Sequence, residues 1–139
     1  MYHVGILYSP YDDLHRSIVD IIRENIDSGK YDTRVKRAEE AVMPDIAASD
    51  IIILVSSDSE DYKEIIRALK GINLSGRLAG IVAFNSEKIK HIFEDALKYT
   101  GAVCYGEILN IRENSIESDK IKKWTKGLLQ EYERIIYER

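Results

Sequence analysis

Apolar positions along the chain follow two alternating periods. Short runs rich in branched residues, His3 to Tyr8, Ile51 to Val55 and Leu78 to Phe84, have the length and composition of strands. The segments between them repeat apolar residues every three or four positions, as amphipathic helices do. The first run stops at Ser9-Pro10, where proline removes an amide donor; Leu14, Ile18, Ile21, Ile22 and Ile26 then recur at helical spacing until Gly29. Asp32 to Ala38 predicts a second strand, with Thr33, Val35 and Arg37 set against Arg34 and Lys36, the alternation of a sheet edge or a half-covered face.

A short helical turn over 44–49 leads into Ile51 to Val55, which is apolar at every position and predicts a central strand covered on both faces. Ser56 to Ser59 offer N-caps, and Tyr62, Ile65, Ile66 and Leu69 predict a helix that ends near Gly71. Gly76 marks the turn into Leu78 to Phe84, and after Asn85-Ser86 a further helix carries Ile89, Ile92, Phe93 and Leu97 inward until Gly101. Ala102 to Ile111 predicts one last strand containing Cys104. The final helix runs from about Ser118 to Tyr137, with Ile121, Trp124, Leu128, Tyr132 and Ile135 on one face and Lys120, Lys122, Lys123 and Lys126 elsewhere.

No two runs are joined by a hairpin signal, so the connections are crossovers, right-handed by the chirality of the backbone, and the class is α/β with an open parallel sheet. Ligands bind such sheets beyond the carboxyl ends of the strands. The loops to interrogate are therefore Ser9 to Leu14, Ser56 to Asp61, Asn85 to Lys88 and Asn110 to Ser118.

Composition narrows the classes. With 139 residues, 45% hydrophobic and 32% charged, the chain is expected to form one domain that buries roughly two thirds of its unfolded surface. A net charge of -4 argues against nucleic acid, whose backbone selects positive surfaces. The lone Cys104 makes no internal disulfide and suits a reducing compartment. The longest aliphatic run, Ile51 to Val55, is too short to cross a bilayer and the N-terminus lacks a leader pattern, so the expected location is cytoplasmic, with no membrane partner.

The order of elements resembles the short-chain flavodoxins over nearly the whole chain. The strongest local likeness is the block from Asp50 through Val55, Tyr62 to Leu69 and Asn73 to Phe84, which is similar to that family's third strand, following helix and fourth strand. The resemblance implies a three-layer flavodoxin-like fold, a five-stranded parallel sheet in the order 2-1-3-4-5, flavin mononucleotide (FMN) as cofactor, electron transfer, and a redox or regulatory protein partner. In the family, a loop of the form Thr/Ser-x-Thr-Gly-x-Thr after the first strand holds the FMN phosphate. Here the loop is Ser9-Pro10-Tyr11-Asp12-Asp13-Leu14. Ser9 matches, while Tyr11, Asp12 and Leu14 stand where the family has Thr, Gly and Thr. The loop after the third strand, Ser56 to Asp61, has no Trp and no Gly, and the loop after the fourth is only Asn85-Ser86-Glu87. On this reading the residues that approach the flavin are Ser9, Tyr11, Ser56, Ser57, Tyr62 and Ser86. The alternative is a flavin-free binding or regulatory module on the same scaffold.

Each candidate residue also has a purely structural role open to it. Ser9, Ser56, Ser57 and Ser86 converge at one rim, where they suit either a small anionic ligand or helix capping. Asp12 and Asp13 suit an N-cap and the positive end of a helix dipole. Tyr62 lies on the apolar stripe of its helix and suits core packing. Asp12, Asp13 and Asp58 together resemble the acidic cluster of receiver domains, which implies a magnesium-dependent phosphoacceptor as a minor alternative; no Lys-Pro follows the fifth strand, where that family keeps its lysine. His3, His15 and His91 lie on separate elements without metal-ligand spacing, so no metal site and no catalytic residue is assigned.

Overall fold

The computed structural model describes residues 1–84, 87–112 and 116–138. Six strands form one parallel sheet in the order β2-β1-β3-β4-β5, and β6 also pairs with β4. The strands are β1 (Tyr2–Ser9), β2 (Tyr31–Arg37), β3 (Ile51–Ser56), β4 (Leu78–Phe84), β5 (Val103–Cys104) and β6 (Leu109–Ile111). The helices are α1 (Asp13–Glu24), α2 (Met43–Ala47), α3 (Lys63–Leu69), α4 (Glu87–Leu97) and α5 (Ser118–Tyr137). This is the flavodoxin-like α/β order that the sequence predicts, with one strand more. Among the described residues no helix is long and apolar enough to cross a membrane.

The sheet separates two apolar layers. On one side Val4, Ile6, Ile51, Ile53 and Val55 pack against Ile18 and Ile22 of α1 and against Ile121, Trp124 and Leu128 of α5. On the other, Leu7, Ile52, Leu54, Ala79 and Ile81 meet Ile46 of α2, Tyr62, Ile65 and Leu69 in and before α3, and Ile89, Phe93 and Leu97 of α4. β3 and β4 are buried at every residue, the result of sandwiching a parallel strand between two helical layers. Burying each such Ile or Leu contributes about 1.5–3 kcal/mol.

Two expectations are corrected in detail. The first helix ends at Glu24, five residues before Gly29, because Asn25 caps it: its side-chain amide donates to Ile21 O at 2.7 Å and its backbone N–H turns back onto Ile22 O. Ile26 remains buried after the helix has ended, which is why the apolar stripe outlasts the element. The strand expected over 102–111 is interrupted. From Ala79 to Val82 β4 advances three residues, while its partner line advances five, from Cys104 to Leu109. The surplus is taken up between β5 and β6, as at a bulge, and the Trp124 indole N–H fixes it by donating to Glu107 O at 2.7 Å. Cys104 is half-buried there, and burial pushes its thiol pKa up. Gly76 and Gly101, both at φ 85°, form the turns that the sequence places at them.

The Trp124 indole approaches β4 at Gly80, where an added Cβ would lie 3.0 Å from its ring. The indole cannot retreat without giving up its bond to Glu107. Gly80→Ala is therefore expected to destabilise the fold by about 1–3 kcal/mol, through overpacking, read as a lower urea midpoint at unchanged slope.

Candidate functional site

All strands run in parallel, so the carboxyl ends of β1, β3, β4 and β6 share one rim. The loops after β1 and β3 are tied together there. The hydroxyl of Ser9, fully buried, donates to the Asp61 carboxylate, and Ser57 N–H donates to Ser9 O at 3.3 Å. Ser56, also fully buried, closes its own turn, donating its hydroxyl to Asp58 O while accepting from Asp58 N–H at 2.9 Å. The Ser9-Pro10 peptide bond is cis.

At the start of α1 the N-cap is Asp12. Its Oδ1 accepts from His15 N–H at 2.8 Å and from His15 Nδ1 at 2.6 Å. Burial alone would raise the Asp12 pKa, but the hydrogen bonds from the His15 amide and imidazole, His15 charge and the Leu14 amide outweigh it and hold the carboxyl below its ordinary value. An ionised carboxylate only accepts, so this bond assigns the shared proton to Nδ1. The His15 ring is buried, stacked on Phe84 with centroids 4.0 Å apart and planes at 28°, and its Nε2 has no partner among the described residues.

Tyr62 is fully buried at the base of the rim. Its hydroxyl lies 2.9 Å from two carbonyls near the ends of β1 and β3, Leu7 O and Val55 O, which share its single proton, and burial drives its pKa well above the ordinary phenol value. Tyr11 is 54% exposed and lies between two guanidinium groups, Arg37 at 4.7 Å and Arg16 at 5.5 Å from the ring centre. Ser57 is exposed, and Ser86 lies outside the described residues. On the far side of the rim, Asn110, Ile111, Arg112, Glu117 and Lys120 line a hollow of about 380 Å³.

Of the sequence candidates, then, Ser9, Ser56 and Tyr62 have their hydroxyls engaged inside the protein, and Tyr11 and Ser57 face outward. Asp61, His15 and Phe84 escaped the sequence reading as site residues. Asp12 and His15 were accessible to it in principle, because a cap residue and the third helical position always face each other. The acids Asp12, Asp13, Asp58, Glu60 and Asp61 are all exposed and outnumber the cations beside them, Arg16, Arg37 and Lys63. Among the described residues no group of three or more His, Cys, Asp or Glu side chains is arranged to hold a metal ion.

These residues do not fit an FMN phosphate. The loop has no glycine to let backbone approach an anion, Pro10 has no N–H to offer, and the first amides of α1 are already turned onto the Asp12 carboxylate. A dianion placed there would meet like charge, at a cost of about 1 kcal/mol per pair at 4 Å in water and roughly four times that at an effective dielectric of 20.

The chain matches no protein-family model and no curated protein by sequence. It does resemble solved structures. Oxidised flavodoxin 2 from Bacillus cereus superposes with a TM-score of 0.79 at 21% identity, covering 93% of this chain and 99% of that one. A short-chain flavodoxin associated with a bacterial microcompartment gives 0.79 at 15%, over 95% and 99% of the two chains. The Fusobacterium nucleatum flavodoxin bound to flavin mononucleotide gives 0.73 at 15%, over 94% and 99%. At these identities the likeness establishes the flavodoxin fold.

Two outcomes follow. Tyr62→Phe leaves Leu7 O and Val55 O without their buried donor and should cost about 1–3 kcal/mol in chemical denaturation. Asp12→Ala should cost about 1 kcal/mol at neutral pH. Because the folded-state pKa of Asp12 is depressed, its contribution is present above the unfolded carboxylate pKa of about 3.9 and is lost as pH falls through the folded value. Wild type and variant should therefore converge in stability in acid, read by thermal melts across pH.

Proposed function

We propose that this chain is a flavodoxin-fold binding module that works without FMN, docking a positively charged surface of a redox or regulatory protein partner on its acidic rim. The observation that carries this is the Asp12 carboxylate on the first amides of α1: the anion that a helix N-terminus attracts is supplied by the chain itself. The engaged hydroxyls of Ser9 and Ser56 support the same reading, since the side chains that would turn toward a phosphate are bonded inward. Asp13, Asp58 and Glu60, the last paired with Lys63 at 2.7 Å, remain exposed around them and suit a cationic partner that competes for Glu60.

A second reading is favoured by the fold neighbour described as bound to flavin mononucleotide: an FMN-dependent electron carrier with an unusual phosphate loop. In it the flavin, when bound, supplies the electron chemistry, and this chain's residues hold and position it. Titrating about 1 µM FMN with protein to about 100 µM separates the two. The flavin-free reading expects no saturable quenching of flavin fluorescence and no absorbance near about 450 nm in purified protein (the oxidised-flavin band). A saturable, yellow complex overturns it in favour of the carrier. For the docking claim, binding of an oligolysine probe should weaken with added salt and in the pair Asp13→Asn with Glu60→Gln; salt-insensitive binding would remove it.

A further inference from the structure

A second hollow lies away from the rim, on the sheet face beneath α2. α2 has five residues and is about 7.5 Å long; its end lies against β1 at Gly5, and its Asp45 reaches Lys36 on β2. Parallel pairing places His3 beside Asp32, Gly5 beside Arg34 and Leu7 beside Lys36, all on this face. β2 thus presents only charged side chains here, while Tyr31 and Val35 turn to the opposite layer. Gly5 shapes the inner end: a Cβ there would collide with Ser49 Oγ, so glycine lets the end of α2 descend onto β1. The result is a cavity of about 360 Å³, within the range of small-molecule sites, with Gly5, Leu7, Pro44 and Ala48 giving it an apolar floor and inner wall.

The outer wall carries two cations, Arg34 and Lys36, each with a carboxylate partner. Lys36 Nζ sits 3.0 Å from Asp45 Oδ2, and Asp45 also accepts from Val42 N–H at 2.9 Å. The Arg34 side chain is ion-paired through Nε alone, 3.5 Å from Asp32 Oδ2, and makes no side-chain hydrogen bond among the described residues. Asp32 is shared with His3 Nδ1, at 3.2 Å. Arg34 therefore retains the terminal nitrogens of its guanidinium fork at the mouth of an apolar hollow, an arrangement suited to a planar carboxylate on an apolar body.

We propose that the hollow between α2 and the β1–β2 face binds a small amphipathic organic carboxylate, with its charged end on Arg34 and its apolar body over Gly5 and Leu7. Apart from Leu7, whose carbonyl Tyr62 reaches, the site shares no residue with the rim, and it does not depend on whether the protein takes FMN.

The experiment uses hexanoate as the probe, with hexanamide and inorganic phosphate as controls, read by amide shifts of the ¹⁵N-labelled full chain. Hexanoate should give saturable shifts centred on Gly5, Leu7, Arg34 and Ala48. Hexanamide and phosphate, lacking the charge and the apolar body respectively, should bind at least about ten-fold more weakly. Arg34→Gln, at an exposed side chain, should weaken hexanoate by about ten-fold, and Ala48→Tyr should fill the hollow and abolish binding. Absence of saturable shifts with wild type, equal affinity for hexanamide or phosphate, or full affinity in Arg34→Gln would each overturn the proposal. Should Ala48→Tyr fail to fold, the Arg34→Gln comparison decides alone.

Discussion

β3 and β4 are removed from water at every residue, and the rest of the architecture follows from that constraint. Strands so enclosed must pair their backbone groups along both edges and must have an apolar helical layer on each face. Crossovers that return every strand in the same direction bring their carboxyl ends to a single rim. Polar groups concentrate there because the layers on either side exclude them. Tyr62 marks the boundary: its ring belongs to the apolar layer with Phe93, while its hydroxyl satisfies carbonyls at the ends of β1 and β3.

At that rim a helix N-terminus must find an acceptor. A bound anion serves, and so does a side chain in the preceding loop. Here the loop provides its own, and Asp12 is bonded twice to His15, which is itself stacked against the end of β4. The loop is thereby coupled to the core through a buried ring.

Much of this was legible in the sequence, for identifiable reasons. β1, β3 and β4 and helices α1, α4 and α5 have strong periods, and their positions agree with the pattern to within a few residues at the ends. The break between β5 and β6 was not legible, because it depends on register against β4 and on the reach of the Trp124 indole, neither of which leaves a mark in local hydrophobicity. The acids at the start of α1 could be read as caps. The tie between Ser9 and Asp61 could not, since it joins residues 52 positions apart that meet only after the sheet has formed. The hollow beneath α2 was hidden in the same way: alternation along β2 identified it as half covered, but the shortness of the helix above it emerged only in three dimensions.

The two borders of the sheet are finished differently. At β2 the lateral strand carries Arg34, Lys36 and Arg37, charges that a second chain would have to desolvate in order to dock alongside. At the other border the offset between β5 and β6 breaks the ladder into pieces of two and three residues, too short and too misaligned to template a further strand. A sheet with so apolar a centre is thus guarded against fibrillar self-assembly by electrostatics on one flank and by geometry on the other.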